Sequence, residues 1–186
     1  MKNPPLPSLE ILNSIFELDK NSPSFLNRKL KGPVTTSGRK YYRTTIQGKS
    51  FAVHRIVYAI YNSTTNFQEY EIDHKDRNTK NNNPENLRLA TGSENSMNSK
   101  KKTSYSGHRG VRWDDLNKKW RAEIQANNER INLGSFLLLS DAVAARQAGE
   151  IKYHGEFRFI ESQEEKEGRE KKLRQIYGKQ ISNEFC

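Results

Sequence analysis

The sequence is poor in cysteine and in apolar residues, and it has no long apolar run. Its only cysteine, Cys186, is the last of 186 residues, so disulfide frameworks and cysteine-ligated zinc are excluded. No apolar stretch approaches the roughly 18 residues of a membrane span, and the N-terminal residues lack the apolar core of a signal peptide. We therefore expect a soluble intracellular protein, without a membrane partner, whose metal ion, if any, is held by oxygen or imidazole.

The composition favours small polar modules over one large globule, because 33% of the residues are apolar and 29% are charged. The formal net charge of +10 indicates a polyanionic partner. Residues 36–60 have five basic and no acidic side chains, and residues 96–130 have nine basic and four acidic ones. Residues 61–95, in contrast, have four basic and six acidic side chains. An acidic segment between basic ones is what a cation site on a nucleic-acid-binding protein would produce.

The first half of the chain predicts a short lead-in followed by a compact module. Residues 1–37 contain five prolines and two short apolar stretches, so we expect little regular structure there. From Arg39, β-branched and aromatic residues on both sides of Gln47-Gly48 predict a hairpin. The spacing of the apolar residues from His54 to Tyr61 predicts a short buried helix, in which His54 has a capping or core role.

Residues 70–98 are unusually rich in asparagine and aspartate, and their pattern is strand, polar loop, strand, helix. Ser93 is the expected cap of that helix. Asp73 and Asn95 offer a carboxylate and an amide oxygen for a hard divalent cation, and His74 can accept a proton from water near neutral pH. Because strand alternation sends Asp73 and His74 to opposite faces, both can serve one phosphate only if the strand ends or distorts there.

These residues resemble the HNH endonucleases, particularly the phage and intron-encoded homing type. The resemblance rests on His54-Arg55-Ile56-Val57, Ile72-Asp73-His74, Asn82, Asn86-Leu87-Arg88 and Glu94-Asn95. It implies a ββα-metal fold, with Asp73 and Asn95 as metal ligands, His74 as general base and Asn86 as a brace of the loop. Asn95 stands where many relatives have histidine, and an amide oxygen favours Mg²⁺ or Mn²⁺ over zinc. A phage-type enzyme would work in the cytoplasm of a bacterial or phage-infected host cell.

Beyond a basic linker at residues 100–105, the sequence predicts three short strands and an alanine-rich helix that begins at Ser140 and stops at Gly155. Period-two alternation in the middle strand turns Trp120, Ala122 and Ile124 to one face and Arg121, Glu123 and Gln125 to the other. In the third strand Ile131 and Leu133 oppose Arg130 and Asn132. The polar face is therefore available for DNA.

Residues 106–160 resemble the plant ethylene-response-factor (APETALA-two) DNA-binding domain in the order RGVR, W-x-A-x-I, LG-x-F, alanine-rich helix and glycine. The resemblance implies that the exposed sheet face enters the major groove of double-stranded DNA. The positions that match DNA contacts are Arg109, Gly110, Arg112, Glu123 and Arg130; alternation adds Arg121 and Asn132. Gln125, Asn132 and Asp114 depart from the plant pattern, so the plant target sequence is not transferred.

The sequence as a whole predicts an α+β protein: a small ββα-metal nuclease module followed by a three-stranded antiparallel sheet packed on one helix. The expected parts are a lead-in (1–37), an HNH nuclease module (38–99), a basic linker (100–105), an ethylene-response-factor-like domain (106–160) and a charged tail (161–186). We expect a metal-dependent, site-selective DNA endonuclease of the homing type, acting as a monomer and nicking one strand. The alternatives are a sequence-specific DNA-binding regulator with an inactive nuclease module, and a nonspecific nuclease.

Overall fold

The computed structural model describes residues 4–36, 40–67, 69–99, 105–126 and 128–184, the last nine of them by their backbone only. The chain forms two compact units, Met1–Ser96 and Met97–Cys186. Both combine helices with small antiparallel sheets, which confirms the α+β class. Most of the predicted basic linker, residues 100–104, lies outside the described residues. In the described part of the chain, no helix is both long and apolar enough to cross a membrane.

The N-terminal segment is more regular than the sequence suggests. Helix α1 (Leu9–Ile15) is followed by strands β1 (Phe16–Leu18), β2 (Leu26–Arg28) and β3 (Gly32–Pro33), which form an antiparallel sheet in that order. The expectation of little regular structure for residues 1–37 was therefore wrong for this part. The physical reason is tertiary, because the short apolar stretches become buried against the rest of the unit.

A tight hairpin and a buried helix come next. Strands β4 (Arg43–Ile46) and β5 (Lys49–Ala52) pair in antiparallel register, and the turn residues Gln47 and Gly48 have φ values of 48° and 75°. Two positive φ values match the type of turn that suits the twist of a two-residue hairpin. Helix α2 (Val53–Tyr61) follows at once. The predicted hairpin and helix are both present.

The polar middle of the chain folds as strand, loop, strand, helix. Strand β6 (Glu71–His74) pairs with β7 (Leu87–Ala90), and a turn of 3₁₀-helix at Pro84–Asn86 precedes β7. Helix α3 (Gly92–Asn98) follows. Its cap is not Ser93: Thr91 Oγ1 accepts from the Glu94 amide at 3.2 Å, and Glu94 Oε2 accepts from the Thr91 amide at 2.8 Å. This reciprocal pair is a capping box, which satisfies two helix-end donors at once.

The core of the N-terminal unit draws on nearly every element before α3. The buried side chains from α1, β1 and β2 lie in one cluster with those of α2, β6 and β7. Its buried members include Leu12, Phe16, Leu26, Phe51, Val53, Ile56, Val57, Phe67, Ile72 and Leu87. The ribbon of β6 and β7 has only two strands, so it depends on this packing for its stability.

The C-terminal unit is a three-stranded antiparallel sheet on one helix. Strands β8 (Val111–Asp114), β9 (Lys119–Ala126) and β10 (Glu129–Phe136) lie in the order β10-β9-β8. Helix α4 (Leu139–His154) packs on one face of the sheet, and Gly155 ends it with φ 51°. A second helix, α5 (Gln163–Glu184), lies in the charged tail.

Two details of α4 differ from the sequence-based expectation. Ser140 is the second residue of the helix and not its cap; Leu138 occupies that position. The alanine-rich pattern of the helix runs along Ala142, Ala145, Ala148 and Ile151 and predicts that these residues pack on the sheet. Ile151 is exposed, however, whereas Ala142, Arg146 and Gly149 are buried. A Cβ on Gly149 would lie 2.7 Å from Leu133 Cδ1. The helix therefore approaches the sheet closely at Ala142 and Gly149, and after Ala142 its buried positions are displaced by one residue from the alanine pattern.

Candidate functional site

Asp73 lies in a buried ion pair on the β6–β7 ribbon. It is directly opposite Arg88 in the strand register. Arg88 donates from Nε and Nη2 to the same oxygen, Asp73 Oδ2, at 3.0 and 2.8 Å. Both side chains are nearly inaccessible, with 10% and 7% of their surface exposed. The two nitrogens fix the orientation of the carboxylate at a position where an unpaired charge would be costly.

His74 lies on the other face, in a pocket of aromatic rings. Its imidazole contacts the His54 ring edge-on with centroids 5.1 Å apart, and the Tyr41 ring stacks against it at 6.1 Å. Its Nε2 is 3.2 Å from Asn82 Oδ1. Strand β6 ends at His74, which is still paired with Leu87 in β7, so alternation sends its side chain to the opposite face from Asp73.

The two imidazoles of this pocket have lowered pKa values. Burial lowers the pKa of His74, while the hydrogen bond to Asn82 and the charges of Asp76 and Asp73 act in the opposite direction. Burial lowers the pKa of His54 from 6.5 to about 3, with smaller contributions from His74 and nearby cations. Within the described residues, Nδ1 of His54 has no hydrogen-bond partner. His54 is therefore a neutral core ring, which agrees with the capping or core role expected from its sequence position.

Asn86 joins the two ends of the polar loop. Its Nδ2 donates to Asp76 Oδ1 at 2.9 Å and to the Asn81 carbonyl at 2.8 Å. Its Oδ1 accepts from the Asp76 amide at 3.1 Å. Asp76 also binds Asn81 Nδ2 and the Asn78 amide. The loop is thus organised by side-chain amides and one carboxylate, which explains how so polar a segment holds one conformation.

Asn95, on α3, reaches back to the same face of the ribbon as Asp73. Its Nδ2 hydrogen-bonds Glu71 Oε2, and Glu71 precedes Asp73 by two residues, which puts both on one face of β6. Because the amide nitrogen faces Glu71, the Asn95 oxygen is the atom available for a cation. The Asn95 side chain is therefore next to Glu71, on the ribbon face that alternation also assigns to Asp73. Amide and carboxylate oxygens are the ligands that hard divalent ions prefer.

The described part of the chain contains no group of three or more histidine, cysteine, aspartate or glutamate side chains that could together hold a metal ion. The donor set named above includes an amide and so is of a different kind. Residues 73, 74, 86 and 95, which the sequence singled out, are all in the strand–loop–strand–helix unit. Asp73 and Asn95 approach the same ribbon face, His74 faces the aromatic pocket, and Asn86 holds the loop between them.

The C-terminal sheet presents a polar face opposite α4. In β9 the side chains of Ala122, Ile124 and Ala126 are buried, and alternation turns Arg121, Glu123 and Gln125 outward. Arg112 is paired with Arg121 across β8 and β9, and Asn132 with Glu123 across β9 and β10. Glu123 lies 3.5 Å from Arg112 Nη2 and 3.7 Å from Arg130 Nη1. Five of the seven predicted DNA-binding residues therefore share this face.

Arg109 and Gly110 are differently placed. The Arg109 guanidinium lies over the Phe159 ring, 4.9 Å from its centroid, and so takes part in an intramolecular contact. Gly110 has φ 65°, and a Cβ there would lie 2.2 Å from the Glu123 carbonyl oxygen. Its own carbonyl accepts from the Glu123 amide at 2.8 Å. The structure gives Gly110 a backbone reason for being glycine, whatever it contacts in addition.

Several residues of the site have no role that their sequence pattern predicted. Arg88, Asn82, Glu71 and Asp76 each contact a predicted site residue directly. Only the Arg88 contact had a usable signal, since pairing the two strands in register puts it opposite Asp73. The other contacts depend on the path of the loop and on the start of α3.

A ββα unit with an aspartate–histidine pair at the end of its first strand defines a protein of the HNH nuclease class. The family model described as HNH endonuclease matches residues 51–97. Protein 3.8 of Escherichia phage T7 is 38% identical over 89 residues, which are 47% of this chain and 73% of the phage protein. The chain therefore belongs to the HNH endonuclease family, with its HNH domain at residues 51–97. No solved structure matches it.

Membership in this family implies a DNA-binding function of the nuclease type, with DNA as the substrate. HNH nucleases in general depend on a divalent metal ion. The family match covers the last two residues of β5, helix α2 and the ββα unit up to the last residue but one of α3, and it does not extend to the C-terminal sheet.

Proposed function

We propose that this chain is a metal-dependent, site-selective DNA endonuclease of the homing type that hydrolyses one phosphodiester bond and nicks one strand. The observation that supports it best is the convergence at the ribbon: Asn95 binds Glu71, two residues before Asp73, while His74 ends the same strand. A hard-ion face and a base at adjacent positions are what hydrolysis without a covalent intermediate needs.

In this proposal each side chain has a separate task. His74 takes a proton from the attacking water. The water oxygen bonds to phosphorus while the bond from phosphorus to the leaving oxygen breaks. Arg88 holds Asp73, whose carboxylate, with the Asn95 amide oxygen, would hold Mg²⁺ or Mn²⁺. Asn86 keeps the loop that follows His74 in place. A bound cation would supply positive charge next to the phosphate and its leaving oxygen.

We propose that the C-terminal unit selects the site, as an ethylene-response-factor-like sheet domain does. Supporting this, Arg112, Arg121, Glu123, Arg130 and Asn132 lie on one polar face with an excess of positive charge, and a three-stranded ribbon fits the major groove. Lys100, Lys101 and Lys102 would add phosphate contacts that are sensitive to salt and indifferent to sequence. The protein would act as a monomer in the cytoplasm of a bacterial or phage-infected host cell.

The proposal is tested with supercoiled plasmid that carries a site selected from a randomised library. We expect wild-type protein with Mg²⁺ to convert supercoiled to open-circular DNA, and EDTA to stop the reaction. His74→Ala should lower the rate by at least about 100-fold, since general-base catalysis contributes 10²–10⁴-fold. His108→Ala, which changes a histidine of the other unit, is the matched control and should leave the rate unchanged.

Three outcomes would contradict parts of this proposal. Undiminished nicking by His74→Ala would remove the base from its assigned role. Tight, selective binding that ignores EDTA and yields no product would favour the DNA-binding regulator with an inactive nuclease module. A nonspecific nuclease would be indicated if the wild-type protein nicks DNA at scattered positions and if Arg112→Ala and Arg130→Ala nick at the same rate and with the same pattern.

A further inference from the structure

A buried chain of hydrogen bonds links the N-terminal segment to the imidazole of His74. Asn82 Nδ2 donates to the Ser24 carbonyl at 3.0 Å, and Asn82 Oδ1 is 3.2 Å from His74 Nε2. All three residues are buried, with 0% of Ser24, 3% of Asn82 and 4% of His74 exposed. At such positions each polar atom needs its partner, because unpaired groups are costly.

The direction of this chain is set at the Ser24 end. A backbone carbonyl only accepts, so the Asn82 group that faces it must be the NH₂, and the amide oxygen must face His74. An amide oxygen also only accepts. The nitrogen of His74 that faces it, Nε2, must therefore be the one with the hydrogen, and the lone pair of the neutral ring is then on Nδ1.

We propose that Asn82 is a positioning residue that holds His74 in its Nε2–H tautomer, so that Nδ1 is the basic atom of the site. The tautomer follows from the hydrogen bonds alone, whereas its effect on catalysis rests on the proposed function, in which His74 is the general base. A base that must take a proton from water at one place works only if the other ring nitrogen has the hydrogen. Fixing the tautomer is how a partner of the second nitrogen commonly acts on a histidine.

The Ser24 carbonyl is itself held in a tight turn. Ser22 Oγ and Ser24 Oγ both donate to the Leu26 carbonyl, at 3.1 and 3.2 Å. Phe25 has φ 61°, and its amide donates to the Ser22 carbonyl at 2.9 Å. This turn joins β1 to β2, so the N-terminal sheet fixes the acceptor on which the orientation of Asn82 depends.

The rings of the pocket hold the imidazole plane. Tyr41 stacks at 22° to it, and His54 meets it edge-on at 69°. His54 and Tyr41 also contact each other, with centroids 4.8 Å apart. Packing on two sides restricts rotation of the His74 ring, and Asn82 decides which of its nitrogens has the hydrogen. Because both constraints come from the protein itself, the His74 ring is preorganised before DNA binds.

The test reads the tautomer directly and does not require activity. In two-dimensional ¹H–¹⁵N spectra of the metal-free full-length chain, recorded at about pH 8 so that histidine is neutral, the protonated and unprotonated ring nitrogens have very different shifts. Among the signals of the four histidines, those of His74 and His54 are identified by their loss in His74→Gln and His54→Phe. We expect His74 to show a protonated Nε2 and an unprotonated Nδ1. A protonated Nδ1 in the wild type would overturn the proposal.

Two variants of Asn82 separate positioning from general support of the fold. Asn82→Leu removes the acceptor, and we expect the His74 shifts to move towards the mixed tautomers of an unconstrained ring. Asn82→Asp loses the bond to Ser24 but keeps an acceptor for Nε2, so the tautomer should be retained. Asn62→Leu, at an exposed asparagine whose Nδ2 binds the Tyr58 carbonyl, is the matched control and should leave the spectrum unchanged.

The nicking assay then tests the consequence. We expect Asn82→Leu to lower kcat by about 10- to 100-fold with little change in KM, and Asn82→Asp to recover most of that loss. Equal losses in both variants, or His74 shifts that stay as in wild type in Asn82→Leu, would leave Asn82 with a structural role only. If Asn82→Leu does not fold, the wild-type and Asn82→Asp spectra still decide. The predicted tautomer in a protein that never nicks would refute the proposed function and not this inference.

Discussion

Arg88 binds Asp73 with two nitrogens on a single carboxylate oxygen, across the two paired strands β6 and β7. The pair is almost fully enclosed. Such an arrangement adds little stability compared with apolar residues of the same volume, but loss of one partner leaves a buried charge unpaired. The pair is thus better understood as a device that fixes the Asp73 carboxylate than as a source of stability.

Arg88→Ala is expected to destabilise the N-terminal unit by about 3–5 kcal/mol, because the Asp73 carboxylate stays buried without the guanidinium that pairs with it. Both tryptophans, Trp113 and Trp120, lie in the C-terminal unit, so their fluorescence reports on that unit alone, whereas far-UV circular dichroism reports on both. Denaturant titration should shift the circular-dichroism transition and leave the fluorescence transition in place. Arg130→Ala, in an exposed pair, is the control and should cost about 1 kcal/mol or less.

Acid should destabilise the N-terminal unit through His54. The pKa of His54 is about 3 in the folded protein and 6.5 when unperturbed, chiefly because of burial. Between these values the unfolded chain takes up a proton that the folded chain does not, so stability falls as pH falls, by up to about 1.4 kcal/mol per pH unit. The free energy of unfolding, measured from pH 7 to pH 4, should show this slope.

The variant His54→Phe keeps an aromatic ring and removes the titrating group. We expect it to flatten part of that slope, leaving the part that comes from His74, whose pKa is also lowered by burial. A slope unchanged in His54→Phe would mean that His54 titrates normally and is not closed off from water.

Gly110→Ala is expected to destabilise the C-terminal unit by about 2 kcal/mol or more. The new Cβ would lie 2.2 Å from the Glu123 carbonyl oxygen and 2.5 Å from Arg146 Nε, at a residue with φ 65°. Overpacking and a left-handed backbone both carry a cost. Tryptophan fluorescence during denaturation measures it. Gly168→Ala, where a Cβ meets open space, should be neutral or slightly stabilising, and equal effects of the two changes would refute this account of Gly110.

The polar sheet face is tested by Arg112→Ala and Arg130→Ala, each expected to weaken binding of the selected site by about 1–3 kcal/mol if it reads a base. Because their ion pairs with Glu123 are exposed, folding stability should change little. Binding is measured by fluorescence anisotropy at two salt concentrations. Lys152→Ala removes one positive charge from α4 and not from the sheet, so it should leave sequence preference intact. Binding curves that do not move would exclude this face.

Elements with a strong local pattern could be predicted from the sequence. The turn at Gln47-Gly48 and strands β8, β9 and β10 have turn residues and period-two alternation that specify them without the rest of the chain. The ββα order was visible for the same reason. The N-terminal sheet was not, because its strands have only two or three residues, and their apolar side chains are buried by residues distant in sequence, including those of α2.

The site divides in a similar way. Asp73, His74, Asn86 and Asn95 could be named from their types and spacing, but their partners could not. Asn82 meets His74 only because the loop returns past Ser24, 58 residues earlier in the chain. The cap of α3 had a local signal that was missed, since Thr91 and Glu94 have the spacing of a capping box.

The boundary of the family match is not a boundary of the folded unit. Residues 51–97 contain the ribbon and α2, yet the core that α2 belongs to also includes Leu12, Phe16 and Leu26. If residues 51–97 were expressed alone, the apolar side chains that pack against the N-terminal segment would be exposed to water. Asn82 would also lose its hydrogen bond to the Ser24 carbonyl. A transfer of this HNH domain to another scaffold should therefore include the chain from helix α1 onward.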